Sequence, residues 1–119
     1  MSQNTASLES ELNTTIQKGE IMAAFEKYYA DDVVMQENNE QPCTGKLANR
    51  AREQAFVDSV AQVHGIKVVN SAVNGDVAFS EWLLDVTFRN GQRAKMAQVA
   101  VRRWKNDRVV HERFYYNKG

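Results

Sequence analysis

The feature that most constrains the fold is a change of hydrophobic period at Ile66. Beyond it, apolar and polar residues alternate at every second position in four segments, 66–73, 77–89, 93–105 and 108–116. Short turns rich in asparagine, aspartate and glycine separate these segments, and such residues tolerate the positive φ angles of tight hairpins. We therefore predict an antiparallel meander of four strands. Strands of about a dozen residues cannot stay flat, so the sheet should curve strongly.

The first half of the chain has a helical period instead. A first helix is indicated by apolar residues at four-residue spacing, Leu8, Leu12 and Ile16. Ser7 is its candidate N-cap, and Gly19 interrupts it. A second helix begins near Glu20 and has one apolar face, formed by Ile21, Phe25 and Tyr28. Asp31 and Asp32 are predicted to end it, because short acidic side chains compete with helical hydrogen bonds.

A short strand at 33–37 and a loop at 38–45 precede a third predicted helix at 47–63, which Gly65 is expected to stop. The apolar stripe of that helix consists of Ala51, Ala55, Phe56, Val60 and Val63. Helices followed by an antiparallel meander define the α+β class. The length fits one core, so residues 1–119 are predicted to form a single domain. A curved sheet closed by three helices makes a cone with a hollow inside.

Charge and composition argue against several classes of function. The formal net charge is +0 and the basic residues are spread along the chain, so nucleic-acid binding is not expected. Cys43 is the only cysteine, which excludes an intramolecular disulfide and fits a reducing compartment. No apolar run suits a membrane helix and the polar N-terminus lacks a secretory leader, so a cytoplasmic protein is expected. The two histidines, His64 and His111, lie on separate elements, and neither a metal nor a cofactor is predicted.

Three local runs carry a resemblance to a known family. They are Tyr-Ala-Asp-Asp-Val at 29–33, Thr-Gly-Lys at 44–46, and Arg-Trp-Lys-Asn-Asp-Arg-Val-Val at 103–110 followed by Glu-Arg-Phe-Tyr-Tyr at 112–116. With the order of elements, they make the chain resemble the SnoaL-like branch of the NTF2-like superfamily over essentially its whole length. The resemblance implies a conical α+β barrel with an apolar pocket, and frequently a homodimer built on the outer sheet face. Members include ketosteroid isomerase, scytalone dehydratase, polyketide cyclases and non-enzymatic binding modules, so the fold does not fix the function.

The isomerase site transfers only in part to this sequence. The resemblance puts the catalytic base of that enzyme at Glu37, where a carboxylate is present. The tyrosine of its oxyanion hole would fall near Leu12, and the protonated aspartate beside it would fall near Ala100. Neither residue donates a hydrogen bond to a developing enolate. Steroid isomerisation by that mechanism is therefore not expected.

Glu37 is the first candidate catalytic residue. It follows Val33 and Met35 at period two, so the three side chains share one face of the short strand. If that face is the core, desolvation raises the pKa of the Glu37 carboxyl towards neutrality, which suits a general base. In the alternative interpretation, Glu37 has left the strand and begins the solvated loop.

Glu112 is the second candidate catalytic residue. Alternation places it on the inner face of the last strand, together with Val110, Phe114 and Tyr116. The alternative is a structural partner for Arg102 or Arg113. His111 and Arg113 then point outwards, to solvent or to a second copy.

The two central meander strands supply the other candidate wall residues. On the third strand Gln98, Ala100, Arg102 and Trp104 share a face that the resemblance places inside, unless the strand is inverted. An Arg102–Glu112 pair would bind an anionic or carbonyl group, and Gln98 would orient it. On the second strand the apolar face contains Trp82, Leu84, Val86 and Phe88, unless a β-bulge turns Glu81 inwards.

These residues predict a cavity for a small apolar or aromatic molecule with one polar group. Its binding residues are predicted to be Tyr29, Trp82, Gln98, Arg102, Trp104, Phe114 and Tyr116. The predicted chemistry is cofactor-free isomerisation, dehydration or cyclisation, with Glu37 as base and Glu112 assisting. Two alternatives stay open: a binding module without turnover, and an association domain that dimerises through its outer sheet face.

Overall fold

The computed structural model describes residues 4–117 and confirms the α+β class. The helices are α1 (Thr5–Gln17), α2 (Ile21–Tyr28) and α3 (Lys46–Ser59). The strands are β1 (Tyr29–Glu37), β2 (Cys43–Thr44), β3 (Val60–Asn74), β4 (Val77–Phe88), β5 (Arg93–Lys105) and β6 (Arg108–Tyr116). Within residues 4–117, each helix is too short or too polar to cross a bilayer.

The six strands form one curved sheet in the order β2-β1-β6-β5-β4-β3. Neighbours along the meander β3 to β6 pair antiparallel, as the hairpin turns predict. β1 pairs parallel with β6, which sets Glu37 opposite Phe114. Strand β1 therefore brings its last residues to the same end of the sheet as the last residues of β6.

The ends of α1 and α2 differ from the prediction. Asn4, not Ser7, caps α1: its Oδ1 accepts the Ser7 N–H at 2.8 Å. Helix α2 ends at Tyr28, and Asp31 and Asp32 lie inside β1 rather than ending the helix. The pairing of β1 with β6 shifts register between residues 29 and 34, and this irregularity leaves both aspartates exposed to water.

Helix α3 is shorter than predicted, because residues 60–63 begin β3. Val60 pairs with Phe88 and Val63 with Val86, so pairing with β4 overrides the helical pattern there. Gly65 lies within the strand and does not stop a helix. Of the apolar stripe predicted on this helix, Phe56 faces inwards, whereas Ala51 and Ala55 are exposed. Asn49 and Glu53 share the inward side with Phe56.

The main core lies between α1, α2 and one end of the inner sheet face. Its members include Leu8, Leu12, Phe25, Tyr28, Val33 and Trp104. Val109 belongs to it, whereas Val110 is only half-buried, contrary to the predicted alternation. The β5–β6 register explains this, because Arg103 pairs with His111 and Trp104 with Val109, leaving Val110 as an extra residue in a bulge.

Candidate functional site

A cavity of about 460 Å³ lies between the helices and the inner sheet face, beside the core. Much of its wall is apolar or aromatic and includes Phe25, Phe56, Ile66, Trp82, Leu84 and Phe114. A smaller polar set faces the same space: Glu37, Asn49, Arg52, Glu53, Gln98 and Arg102. A cavity of this size, apolar with a few convergent polar groups, is typical of small-molecule sites.

Seven of the predicted site residues lie together on this wall: Tyr29, Glu37, Trp82, Gln98, Arg102, Phe114 and Tyr116. The inner faces of the central strands follow the simple alternation. Arg102 is buried, so β5 is not inverted. Glu81 is exposed, so no bulge turns it into the cavity. Period-two alternation therefore grouped the wall residues of β4 and β5 correctly, and the family resemblance chose the inner face of β5.

Trp104, predicted to bind substrate, does not line the cavity. It lies in the core cluster, where its indole Nε1 donates to Glu9 Oε1 at 3.0 Å. Its ring meets that of Tyr28 edge-on, with centroids 6.2 Å apart. Trp104 lies one inward position beyond Arg102, at the end of the sheet that α1 and α2 cover. The contacts of Trp104 therefore join helices α1 and α2 to strand β5.

Glu37 lines the cavity at its open edge and is not desolvated as predicted. Its side chain is 41% exposed and forms an ion pair with Arg52 at 3.4 Å. Such a solvated pair contributes little to stability. The alternative interpretation, in which Glu37 meets solvent, describes it better.

Arg102 is the centre of a buried polar cluster. Its Nε donates to Glu112 Oε2 at 2.6 Å, and its Nη1 donates to Glu9 Oε2 at 2.6 Å and to Asn13 Oδ1 at 2.8 Å. Ser80 also donates to Glu9 Oε2, at 2.6 Å. All these side chains are nearly inaccessible to water. Glu112 thus has the structural role that its alternative interpretation gave it, and it does not line the cavity.

Tyr29 links this cluster to the cavity wall. Its hydroxyl donates to Glu112 Oε2, and its ring stacks on Phe25 with centroids 5.0 Å apart. Burial, together with the negative charge of Glu112, raises the pKa of the Tyr29 phenol well above its usual range. The hydroxyl therefore remains a donor. Glu112 Oε1 is buried and has no hydrogen-bond partner among the described residues.

Glu53 is the cavity residue that the sequence prediction missed. It is half-buried on α3, and it makes no hydrogen bond or ion pair with any residue in the described range 4–117. Burial, with added repulsion from Glu112 and Glu37, raises the pKa of its carboxyl to about 7. Asn49 anchors this helix one turn earlier, where its Nδ2 donates to the Cys43 and Gly45 carbonyls at 2.9 Å. Spacings of four and three residues along 49, 53 and 56 could have revealed this face.

Comparison with known proteins places the chain in a family. A model of the SnoaL-like domain matches residues 3–116. The protein belongs to the SnoaL-like family. A candidate SnoaL-like polyketide cyclase from Mesorhizobium loti is 32% identical, with a TM-score of 0.86 over 96% of this chain and 100% of that one. No curated protein matches the sequence.

More distant solved structures share the fold of this SnoaL-like protein. An NTF2-like protein of unknown function from Burkholderia pseudomallei is 16% identical, with a TM-score of 0.76 over 98% of this chain and 92% of that one. A protein with a ketosteroid isomerase-like fold from Catenulispora acidiphila, in complex with trimethylamine, is 12% identical, with a TM-score of 0.78 over 96% and 88%. At these identities the likeness shows the fold alone.

In this SnoaL-like protein the cavity donors differ from those of the isomerase. Leu12 is fully buried in the core and Ala100 is fully buried on β5, so neither offers a polar group. The donors on the cavity wall include Gln98 and Arg102, both on β5, and the Trp82 indole, whose buried Nε1 has no hydrogen-bond partner among the described residues. Glu53 lines the same cavity and provides a carboxyl that titrates near neutrality. Together they bring a titratable carboxyl and hydrogen-bond donors into one small cavity.

Proposed function

We propose that this SnoaL-like protein binds a small, largely apolar or aromatic molecule in its cone cavity and moves a proton on it without a cofactor. Glu53 is the acid–base group, in place of Glu37. The observation that carries the proposal is the Glu53 carboxyl, which faces the cavity without a partner among the described residues and has a pKa of about 7. A general acid or base works best when its pKa lies near the working pH.

Arg102 and Gln98 are the groups proposed to bind the substrate oxygen. Two guanidinium nitrogens of Arg102 are held by Glu112, Glu9 and Asn13, which leaves Nη2 without a hydrogen bond from residues 4–117. The Gln98 amide also has no hydrogen-bond partner in that range. A fixed N–H that faces a carbonyl oxygen stabilises the negative charge formed when a neighbouring carbon loses its proton.

The resulting reaction class is proton abstraction beside a carbonyl, which leads to isomerisation, dehydration or cyclisation. The candidate polyketide cyclase that is 32% identical supports this class. Remote apolar contacts with Phe56, Trp82 and Phe114 would position the carbon skeleton. Each step uses side chains of this chain alone.

Solvent deuterium exchange into a bound ketone tests the proposal. Aromatic ketones such as tetralone are first screened for a rise in melting temperature, and the binders are followed by NMR in deuterated buffer. The wild type should exchange the protons beside the carbonyl roughly 100-fold faster than Glu53→Gln, which removes the acid–base group. The outer-face control Glu81→Gln should exchange like the wild type, and Glu37→Gln, which removes one of the charges that raise the pKa of Glu53, should slow exchange far less than Glu53→Gln.

Two results would count against this function. Exchange in Glu53→Gln at the wild-type rate would remove the role given to Glu53. Ketones that raise the melting temperature but never exchange would leave the cavity as a binding site without turnover, which is the non-catalytic alternative.

A second proposed function is association through the outer sheet face, favoured by an exposed apolar patch. Phe79, Leu83 and Tyr115 are 39%, 48% and 45% exposed. Further apolar residues lie beside them on the neighbouring strands, because Phe79 pairs with Val101 and Tyr115 pairs with Val99. Contiguous exposed apolar patches commonly mark protein interfaces. We propose that a second copy of the chain covers this patch.

Light scattering after gel filtration tests the association. The wild type should have twice the mass of one chain, and Phe79→Arg should have the mass of one chain, because it buries an unpaired charge in the interface. Leu47→Arg is the matched control, since Leu47 lies on α3 away from the patch and is 79% exposed. A monomeric wild type would refute the proposal, as would a dimer that withstands Phe79→Arg.

A further inference from the structure

The cavity and the cluster behind it contain more carboxylates than cations. Glu9 and Glu112 share the single guanidinium of Arg102, and Glu37 is paired with Arg52. Glu53 has no cation partner among the described residues. When all are ionised, four carboxylates face two guanidinium groups, an excess of two negative charges. In a space with apolar walls, such an excess is poorly screened.

Within residues 4–117, no other element places a charged side chain on the cavity wall. The described residues that line the cavity from α2, β3 and β4 are uncharged: Ile21, Ala24, Phe25, Ile66, Trp82 and Leu84. From β1 the cavity receives Glu37 and the protonated Tyr29 hydroxyl. The cations that reach the site are therefore Arg52 and Arg102, both already paired.

Arg102 is a poor binding site for an anion. Its positive charge is outweighed by two carboxylates at 2.6 Å. A neutral carbonyl oxygen can still accept from Nη2, but a carboxylate ligand would add to the excess negative charge. The aromatic wall agrees with this sign of charge, because cations already lie over two of its rings: Arg102 over Trp82 at 5.8 Å and Lys46 over Phe25 at 6.0 Å.

We infer that this cavity selects its ligand by charge, taking a small apolar or aromatic molecule that bears a protonated amine beside Glu53 and excluding the same skeleton bearing a carboxylate. The inference rests on the proposed function and specifies the ligand class for that site. An ammonium group supplies the positive charge that the cavity lacks. It also favours the ionised form of Glu53.

Charge selection has a measurable consequence for protons. Because the pKa of Glu53 is about 7, the carboxyl is close to half-protonated at neutral pH. A bound ammonium favours the carboxylate, so the remaining proton leaves for the buffer. About half a proton should therefore be released per ammonium bound near pH 7, and less at higher pH where Glu53 is already ionised.

Isothermal titration calorimetry with three isosteric probes tests the inference: naphthylmethylamine, naphthylmethanol and naphthoate. Titration in two buffers with different ionisation enthalpies gives the number of protons released. The wild type should bind the amine at least about tenfold more tightly than the alcohol, and naphthoate most weakly. Glu53→Gln should lose both the preference for the amine and the proton release, while Glu81→Gln keeps both.

The outcomes separate the inference from the function on which it rests. Naphthoate or the alcohol binding as tightly as the amine would overturn charge selection and leave a ligand-binding cavity. An unchanged preference for the amine in Glu53→Gln would overturn the assignment to Glu53. If none of the three probes and none of the ketones binds, both the inference and the proposed function fail.

Discussion

Replacing Glu53 with glutamine is expected to stabilise the folded protein by about 2 kcal/mol near pH 8, and by nothing measurable near pH 4.5. Burial raises the pKa of this carboxyl from 4.5 to about 7 in the folded state. An acid with a raised folded-state pKa contributes stability below its unfolded pKa and loses that contribution as pH rises through the folded pKa. Glutamine, which does not ionise, avoids the loss. The expected size is reduced because water partly screens the half-buried side chain.

Urea unfolding of both proteins across this pH range measures the effect. The quantity of interest is the difference in free energy of unfolding between Glu53→Gln and the wild type, which should grow between about pH 4.5 and 7 and then level off. His111 titrates in the same window with the opposite sign, because burial lowers the pKa of its imidazole, but it is present in both proteins and cancels. Glu81→Gln should show no such trend. A difference that is independent of pH would contradict the placement of Glu53.

Replacing Arg102 with methionine is expected to lower the free energy of unfolding by about 3–5 kcal/mol. The guanidinium holds Glu9 and Glu112 at 2.6 Å each, and all three side chains are almost fully buried. Without it, two carboxylates would stay in the core with no counterion. The loss is comparable to the whole stability of many small domains, about 5–15 kcal/mol.

The neighbouring residue provides the control for this variant. Arg103 is exposed on the opposite face of β5, so Arg103→Met should change stability by no more than about 0.5 kcal/mol. If Arg102→Met does not fold, the triple variant with Glu9→Gln and Glu112→Gln should restore folding, since it removes the unpaired charges too. Equal effects of Arg102→Met and Arg103→Met on urea unfolding would contradict the account of the cluster.

Local turn chemistry explains why half of the fold could be predicted from sequence. The bounds of β5 and β6 match the predicted segments 93–105 and 108–116. The turn between them adopts positive φ at Asn106 and Asp107, 53° and 63°, as residues of this kind allow. The predicted boundary between α3 and β3 was wrong because the sequence of residues 60–63 is also compatible with a helix. Their pairing with β4, more than twenty positions away, decides the outcome.

The site was predictable where it depended on strand alternation and not where it depended on helix packing. Alternation puts Gln98 and Arg102 on one face of β5, and the family resemblance directs that face inwards. Glu9 was missed because its partner is Arg102, a residue 93 positions later, and a carboxylate on a helix is ordinarily solvated. Glu53 was missed because the apolar stripe of α3 was assigned to the alanine side. A polar residue facing a cavity is recognisable only once the cavity is known.

Glu53 connects the stability of the fold to its proposed function. A half-buried carboxyl without a partner in residues 4–117 destabilises the protein once it ionises, so replacing it should improve stability and remove the proposed acid–base chemistry. A trade-off between stability and activity is common at functional sites, because the environment that shifts the pKa of a reactive group also destabilises the fold. In the Arg102 cluster, Glu112 Oε1 and Arg102 Nη2 are the atoms without a hydrogen-bond partner among the described residues. The cluster joins α1 to β5 and β6, and it places charged groups behind the cavity.

The most direct test of this account is the titration of the Glu53 side-chain carboxyl, followed by NMR on its carboxyl carbon and assigned by comparison with Glu53→Gln. The account predicts a midpoint at about 7, because burial and the neighbouring carboxylates disfavour the ionised form. A midpoint near the ordinary glutamate value of about 4.3 would contradict it, since Glu53 would then be an ordinary solvated side chain.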